Sequence, residues 1–338
     1  MVFILKGFIF FCWSLGSAWA GLALWVHLQG ISFALSFTLF LLSTLATGLF
    51  FWSSSYGLSL CLLLISIFSF GYWYQGIEPR QDRHWAVELS RGAEANLEDN
   101  DIVELRNIRD FDWLSEDEAR HNWRSQSLDL TQLKSVDVIT SVWSSPKIAH
   151  LLVSFGFEQA PNSNNLEHVV FSIEIRREHD EAFSQFGGFV RQFELILIAA
   201  TERDVIKLRT DHRQEDVRLY PLNLTEKNRR ELFLGYIALA QRLKAAPEFY
   251  NTISANCTTA VYPFAKKLKA DLPFNWQLLF SGHLAKYLED LGVLGGEGSL
   301  AARQAAAGVT PFAEQHHPDK SFSQAIRQKT SDQPVSTY

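Results

Sequence analysis

One thiol in this chain stands apart from the others. Cys12 and Cys61 lie in long apolar runs, which leaves Cys257 as the single cysteine of the charged part. It has no partner there for an intradomain disulfide, and outside the cytoplasm an unpaired thiol is a liability unless it is used. A buried, inert cysteine is the plain alternative. The neighbouring residues favour chemistry. The stretch 251–260 is polar and then turns helical, with Asn256 as a natural N-cap that puts Cys257 on the first turn of a helix. At such a position the helix dipole and free N–H groups favour thiolate. The same N–H groups could hold an oxyanion, which makes Asn256 and Thr258 candidate oxyanion or orienting residues. Pro263 is an awkward neighbour that kinks or shortens this helix.

A thiolate nucleophile needs a base, and strand patterning singles out His150. In residues 148–157 the odd positions Ala149, Leu151, Val153, Phe155 and Phe157 are apolar, so His150, Leu152 and Ser154 take the opposite face. In the next strand Val169, Phe171, Ile173 and Ile175 are apolar, and His168, Ser172, Glu174 and Arg176 face away. If the two strands pair as a hairpin, both apolar faces must share a side, so opposed residue numbers sum to an even number. A turn centred near Asn162 sets Glu174 opposite His150, with Ser172 or Arg176 for a slipped register. A carboxylate beside an imidazole is the base-orienter pair of thiol enzymes. An ion pair on an ordinary solvated sheet face fits the same pattern.

Other chemistry finds less support. No His, Cys, Asp or Glu spacing matches a zinc site, and neither a phosphate-cradling glycine motif nor a Gly-x-Ser-x-Gly elbow occurs. No cofactor and no metal are expected. Arg176, Arg191 and Arg203 are substrate-binding candidates for a lipid phosphate. Together with Arg106, Arg109, Arg177 and Arg209 they fit solvated ion pairs at least as well.

The elements that must position these residues follow from the charge distribution. Of the charged side chains only Lys6 precedes Glu78, and residues 7–77 carry none. That stretch divides into three spans of bilayer length, about 2–26, 31–52 and 56–74, joined by short breaks. Tryptophans fall mainly near their ends. Ala18-Trp19-Ala20 has the form of a signal-peptide cleavage site, but the apolar run continues past it, so an uncleaved anchor is preferred. Three spans with the N-terminus inside, or two after cleavage, both deliver residue 78 outside. The expected location is a bacterial inner membrane, multi-pass, with the soluble domain on the periplasmic side. The acidic balance, net −6 over the chain, makes nucleic acid an unsuitable partner.

Residues 78–100 read as a linker and lead-in, 101–328 as one α+β domain, and 329–338 as a flexible tail. Strands are expected over 102–108, 136–143, 148–157, 168–177, 193–200, 205–209 and 217–222. Helices are expected from Ser115 towards Trp123, from Thr225 to about Ala246, near Cys257, and over 275–291.

These residues resemble the Lnb N-terminal periplasmic domain family. The likeness runs from about Arg80 to Arg327. It is carried by Asn107-Ile108-Arg109-Asp110-Phe111, by Ala149-His150 with Ser154-Phe155-Gly156-Phe157, and by Ser172-Ile173-Glu174-Ile175-Arg176. Arg191-Gln192-Phe193-Glu194-Leu195, Glu202-Arg203-Asp204-Val205 and Leu219-Tyr220-Pro221 extend it, and Asn256-Cys257-Thr258-Thr259 is its most specific part. The resemblance implies a permuted papain-like thiol fold, an antiparallel sheet plus helices in which His precedes Cys. It implies lipoprotein N-acyltransferase chemistry with Cys257 as nucleophile and His150 as base. Glu174 as third member comes from the register argument. The spans here precede the domain, whereas the family's membrane segments are expected after it. The partners implied are a membrane lipid, a lipoprotein substrate, or both; the oligomeric state is left open. Two other readings remain, a papain-like cell-wall peptidase or amidase and a non-enzymatic membrane-anchored binding module.

Overall fold

The computed structural model describes residues 2–98, 101–143, 145–159, 166–184, 186–268, 272–275, 277, 281–313 and 321–327. The tail expected over 329–338 and the turn expected near Asn162 lie outside them. The chain forms two compact units. One comprises Met1–Arg83, Ala182–Glu194 and Glu248–Thr252, the other His84–Glu181, Leu195–Pro247 and Ile253–Tyr338.

The first unit contains three helices, α1 (Val2–His27), α2 (Gly30–Trp52) and α3 (Tyr56–Gln75). Each is long and apolar enough to cross a membrane. Their bounds fall within a residue or two of the spans read from hydropathy. Side-chain hydrogen bonds tie α2 to α3: Ser43 and Ser66 hydroxyls meet at 2.5 Å, and Ser59 Oγ donates to the Thr47 carbonyl at 3.0 Å. Small hydroxyl residues serve as glue where water is absent.

The second unit is α+β, a mixed sheet with helices on both faces. Its strands are β1 (Glu94–Leu97), β2 (Ile102–Arg109), β5 (Trp123–Asp129), β6 (Leu133–Val142), β7 (His150–Glu158), β8 (Leu166–Arg176), β9 (Glu194–Thr201) and β10 (Asp216–Pro221). Their order is β1-β2-β9-β8-β7-β6-β10, with β5 beside β2. β2 and β9 run parallel; β6, β7 and β8 form an antiparallel meander. The segment read as a linker therefore contributes β1, paired with β2 from Glu94↔Arg106 to Leu97↔Val103.

Helix α5 (Glu226–Ala245) covers one sheet face, capped by Thr225 Oγ1, which accepts from Asn228 N. Phe233 and Tyr236 on α5 pack on Phe155 and Phe171, with ring centroids 5.1–5.8 Å apart. The odd face of β7 and β8 is core, as the alternation implies. The even face is not solvated. Leu152, Val170, Ile196 and Ile198 on it join Val205, Ile206 and Val309 in a second core.

Two local expectations fail for identifiable reasons. Ser115–Glu118 has the signature of a helix cap, but Ser115 Oγ accepts from Asp117 N and Glu118 N at the turn of a hairpin, β3 (Asp112–Trp113) with β4 (Ala119–Arg120). A serine side chain closes a turn as readily as it starts a helix. Residues 205–209, read as a strand, form helix α4 (Glu202–Lys207) and a π-helical turn (Leu208–His212). Thr201 Oγ1, which accepts from Asp204 N, caps that helix, and Val205 and Ile206 pack inward from it.

Candidate active site

Pairing of β7 with β8 fixes what His150 meets. Leu152 lies opposite Ser172 and Phe155 opposite Val169, so the opposed numbers sum to an even value. Continued by two residues, this register brings His150 to Glu174. The imidazole Nε2 lies 3.0 Å from Glu174 Oε1 and 2.7 Å from Ser172 Oγ. Ser172 Oγ donates to the same carboxylate oxygen at 2.7 Å. Arg209, on the π-helical turn, donates to it as well at 3.1 Å. One carboxylate oxygen thus faces an imidazole, a hydroxyl and a guanidinium. Sequence reasoning placed Arg209 among solvated ion pairs; instead it is buried. The missed signal is the π-helical turn, a widening common at functional sites but without a sequence mark of its own.

The Cys257 thiol lies close enough to the His150 ring to act on its titration. With Nε2 given to Glu174 and Ser172, the nitrogen left for sulfur is Nδ1. Burial alone disfavours imidazolium, yet the Glu174 charge and the hydrogen bonds from Cys257 and Glu174 outweigh it and push His150 up to about 9. Burial would likewise raise Glu174, but His150, Arg209 and Ser172 hold it well below the usual carboxylate range.

The turn that carries Cys257 is organised by its neighbour. Asn256 Oδ1 accepts from the N–H and hydroxyl groups of both Thr258 and Thr259, at 2.9–3.0 Å. Ala260 N closes a helical bond onto Asn256 O, but regular helix α6 starts only at Tyr262 and runs to Leu268, with Pro263 inside its first turn. Cys257 therefore sits on a capped turn just ahead of the helix. The Thr258 N–H is committed to Asn256. The turn is located by α6 against α5, where a Cβ at Gly235 would stand 2.7 Å from the Phe264 ring. Phe264 packs edge-on against Tyr236 at 5.0 Å. The charge of Cys257 adds to the burial that raises the Tyr236 phenol.

A second support was not legible in the sequence. Ser281 Oγ contacts both backbone polar groups of Ala149, the residue before His150, and Gly282 N donates to Lys147 O at 3.1 Å. Residues from near the end of the domain thereby hold the start of β7.

The arginines expected to face substrate have other partners. Arg176 donates to the Leu89 and Ser90 carbonyls and stacks on Trp85. Arg203 pairs with Asp110 and Asp112. Arg191 belongs to the membrane-helix unit, where it donates to the Tyr74 and Ile77 carbonyls. Arg109 is fixed by a buried fork onto Asp204, at 2.8–3.1 Å.

A further polar cluster lies on the even sheet face. Asp137, His168 and Glu202 are buried, with ligand-type atoms within 4.8 Å of one another. That donor set suits a hard or borderline cation. Arg327 takes the place of one: its guanidinium donates to Asp137 Oδ2 at 2.6 Å and to both Glu202 oxygens at 2.6–2.7 Å. Ser154 Oγ also donates to Glu202 at 2.6 Å. Burial would raise Glu202, but Arg327 and His168 bring it down to about 2. His168 itself is lowered by burial, with Arg327 opposing its charge.

Comparison with known proteins gives one match. Residues 119–282 match the model of the Lnb N-terminal periplasmic domain family, a span that includes His150, Glu174 and Cys257. No curated protein and no solved structure matches the chain.

Proposed function

We propose that this chain, which carries an Lnb N-terminal periplasmic domain over residues 119–282, is a membrane-anchored thiol acyltransferase of the inner membrane. The observation that carries the reading is the constellation itself, an imidazole 3.0 Å from a half-buried carboxylate and set beside the Cys257 thiol. An imidazole held up to about 9 suits a ring that accepts and keeps a proton.

In this reading His150 takes the proton of Cys257 as its sulfur attacks an ester carbonyl of a lipid donor and a C–S bond forms. The Cys257 backbone N–H is the proposed oxyanion donor, because Thr258 N–H is already given to Asn256. Collapse of the intermediate breaks the C–O bond, and the leaving alcohol takes the proton from His150. An amine then attacks the thioester. Sulfur leaves as thiolate, and His150 accepts the proton released by the amine. Glu174 keeps the ring oriented and stabilises its cation, with Ser172 and Arg209 positioning Glu174. The proposed acceptor is the N-terminal amine of a lipoprotein. A papain-like arrangement of these elements is part of the same proposal.

The test is mass spectrometry of lipoprotein N-termini from cells carrying the native chain or Cys257→Ala. Loss of an N-acyl group in the variant is the expected result. Identical acylation in both would falsify the acyltransferase reading. Peptide release from purified cell wall by the native chain, absent in Cys257→Ala, would favour hydrolysis instead.

A further inference from the structure

Three phenylalanines in the membrane-helix unit are turned out to the surface. Phe183 is 59% exposed, Phe186 64% and Phe189 36%. They lie three residues apart in the chain, in the segment Ala182–Glu194. The backbone beneath them is tightly held. A Cβ at Gly187 would stand 2.5 Å from the Phe193 ring, and one at Gly188 would meet Thr252 Oγ1 and the Tyr250 ring, so a side chain at either would force its neighbours to shift. Arg191 holds a left-handed φ of 60°, a conformation that a non-glycine residue keeps only when its surroundings impose it. The exposure of the rings therefore belongs to a built structure.

The loop is fastened to the ends of the apolar helices. Trp19 Nε1 donates to the Phe189 carbonyl at 2.9 Å, and His27 Nε2 meets the Val190 carbonyl at 2.6 Å. Arg191 donates to the carbonyls of Tyr74 and Ile77 and stacks on the Tyr74 ring at 4.5 Å. Trp19 and Tyr74 themselves stack edge-on at 5.0 Å, beside Phe70 and Trp73. Aromatic belts of this kind sit at the level of the lipid headgroups. The loop is thus tied to that belt through Phe189, Val190 and Arg191.

We propose that Phe183, Phe186 and Phe189 form a membrane-interface anchor, inserted into the bilayer leaflet at the C-terminal ends of α1 and α3. The occupant of this apolar surface is phospholipid acyl chain. The anchor is independent of the chemistry at Cys257.

Photocrosslinking tests it in the full-length chain in native membranes. p-Benzoylphenylalanine replaces each phenylalanine in turn, and Leu114, 49% exposed on the β3–β4 hairpin, serves as comparison. After irradiation, phospholipid adducts are measured by mass spectrometry. The expected result is a several-fold excess of lipid adducts at the three phenylalanine positions, unchanged by Cys257→Ala. Adduct yields no higher than at Leu114, or adducts only to protein, would overturn the proposal.

Discussion

A histidine clasped between a thiol and a carboxylate titrates as part of a group, and that gives the site a pH signature. His150 is raised above its ordinary 6.5 to about 9, so the folded chain binds this proton more tightly than the unfolded chain. The resulting stabilisation is fully present below 6.5 and lost as pH rises through about 9. Glu174 is depressed from 4.5, so its contribution is present above that value and lost as pH falls towards its folded pKa. Both act fully only between 4.5 and 6.5. The melting-temperature gap between the native chain and a His150→Ala, Glu174→Gln double variant should be widest there and narrow on either side. At this scale much was readable beforehand. The even-sum register needed only two alternating strands. Arg209 was out of reach, because its place depends on a π-helical turn and a helix mistaken for a strand.

Elements position the site through close contacts that side-chain patterns do not announce. Helix α5 was legible from its apolar stripe, yet the reason for Gly235 within it was not. Glycine costs a helix about 0.5–1 kcal/mol relative to alanine. The Phe264 ring occupies the space that a methyl group would need. Gly235→Ala should therefore cost about 1–3 kcal/mol from overpacking, partly offset by helix propensity, as read by denaturant unfolding. It should also slow alkylation of Cys257, since α6 and the turn ahead of it must shift. A Gly235→Ala chain as stable and as thiol-reactive as the native one would refute this account of the packing. The strands flanking the site were found because alternation survives in them. β1 and β5 were missed because Glu94–Leu97 and Trp123–Asp129 are polar and partly exposed, with little alternation to read.

For the whole molecule, the charge map was the most informative sequence feature, since the uncharged stretch became three apolar helices. What it could not convey is that the sheet has two buried faces, one of them holding two carboxylates, a histidine and Arg327. Replacing Arg327 by methionine would strand Asp137 and Glu202 without a countercharge, an expected loss of about 3–5 kcal/mol in unfolding free energy. Arg327 also sets an order of assembly. It lies 190 residues beyond Asp137 and 125 beyond Glu202. A chain emerging N-terminus first presents both carboxylates long before the cation that neutralises them. Until Arg327 is in place, closing the second face would bury Asp137 and Glu202 without their cation, a cost that opposes early closure of that face.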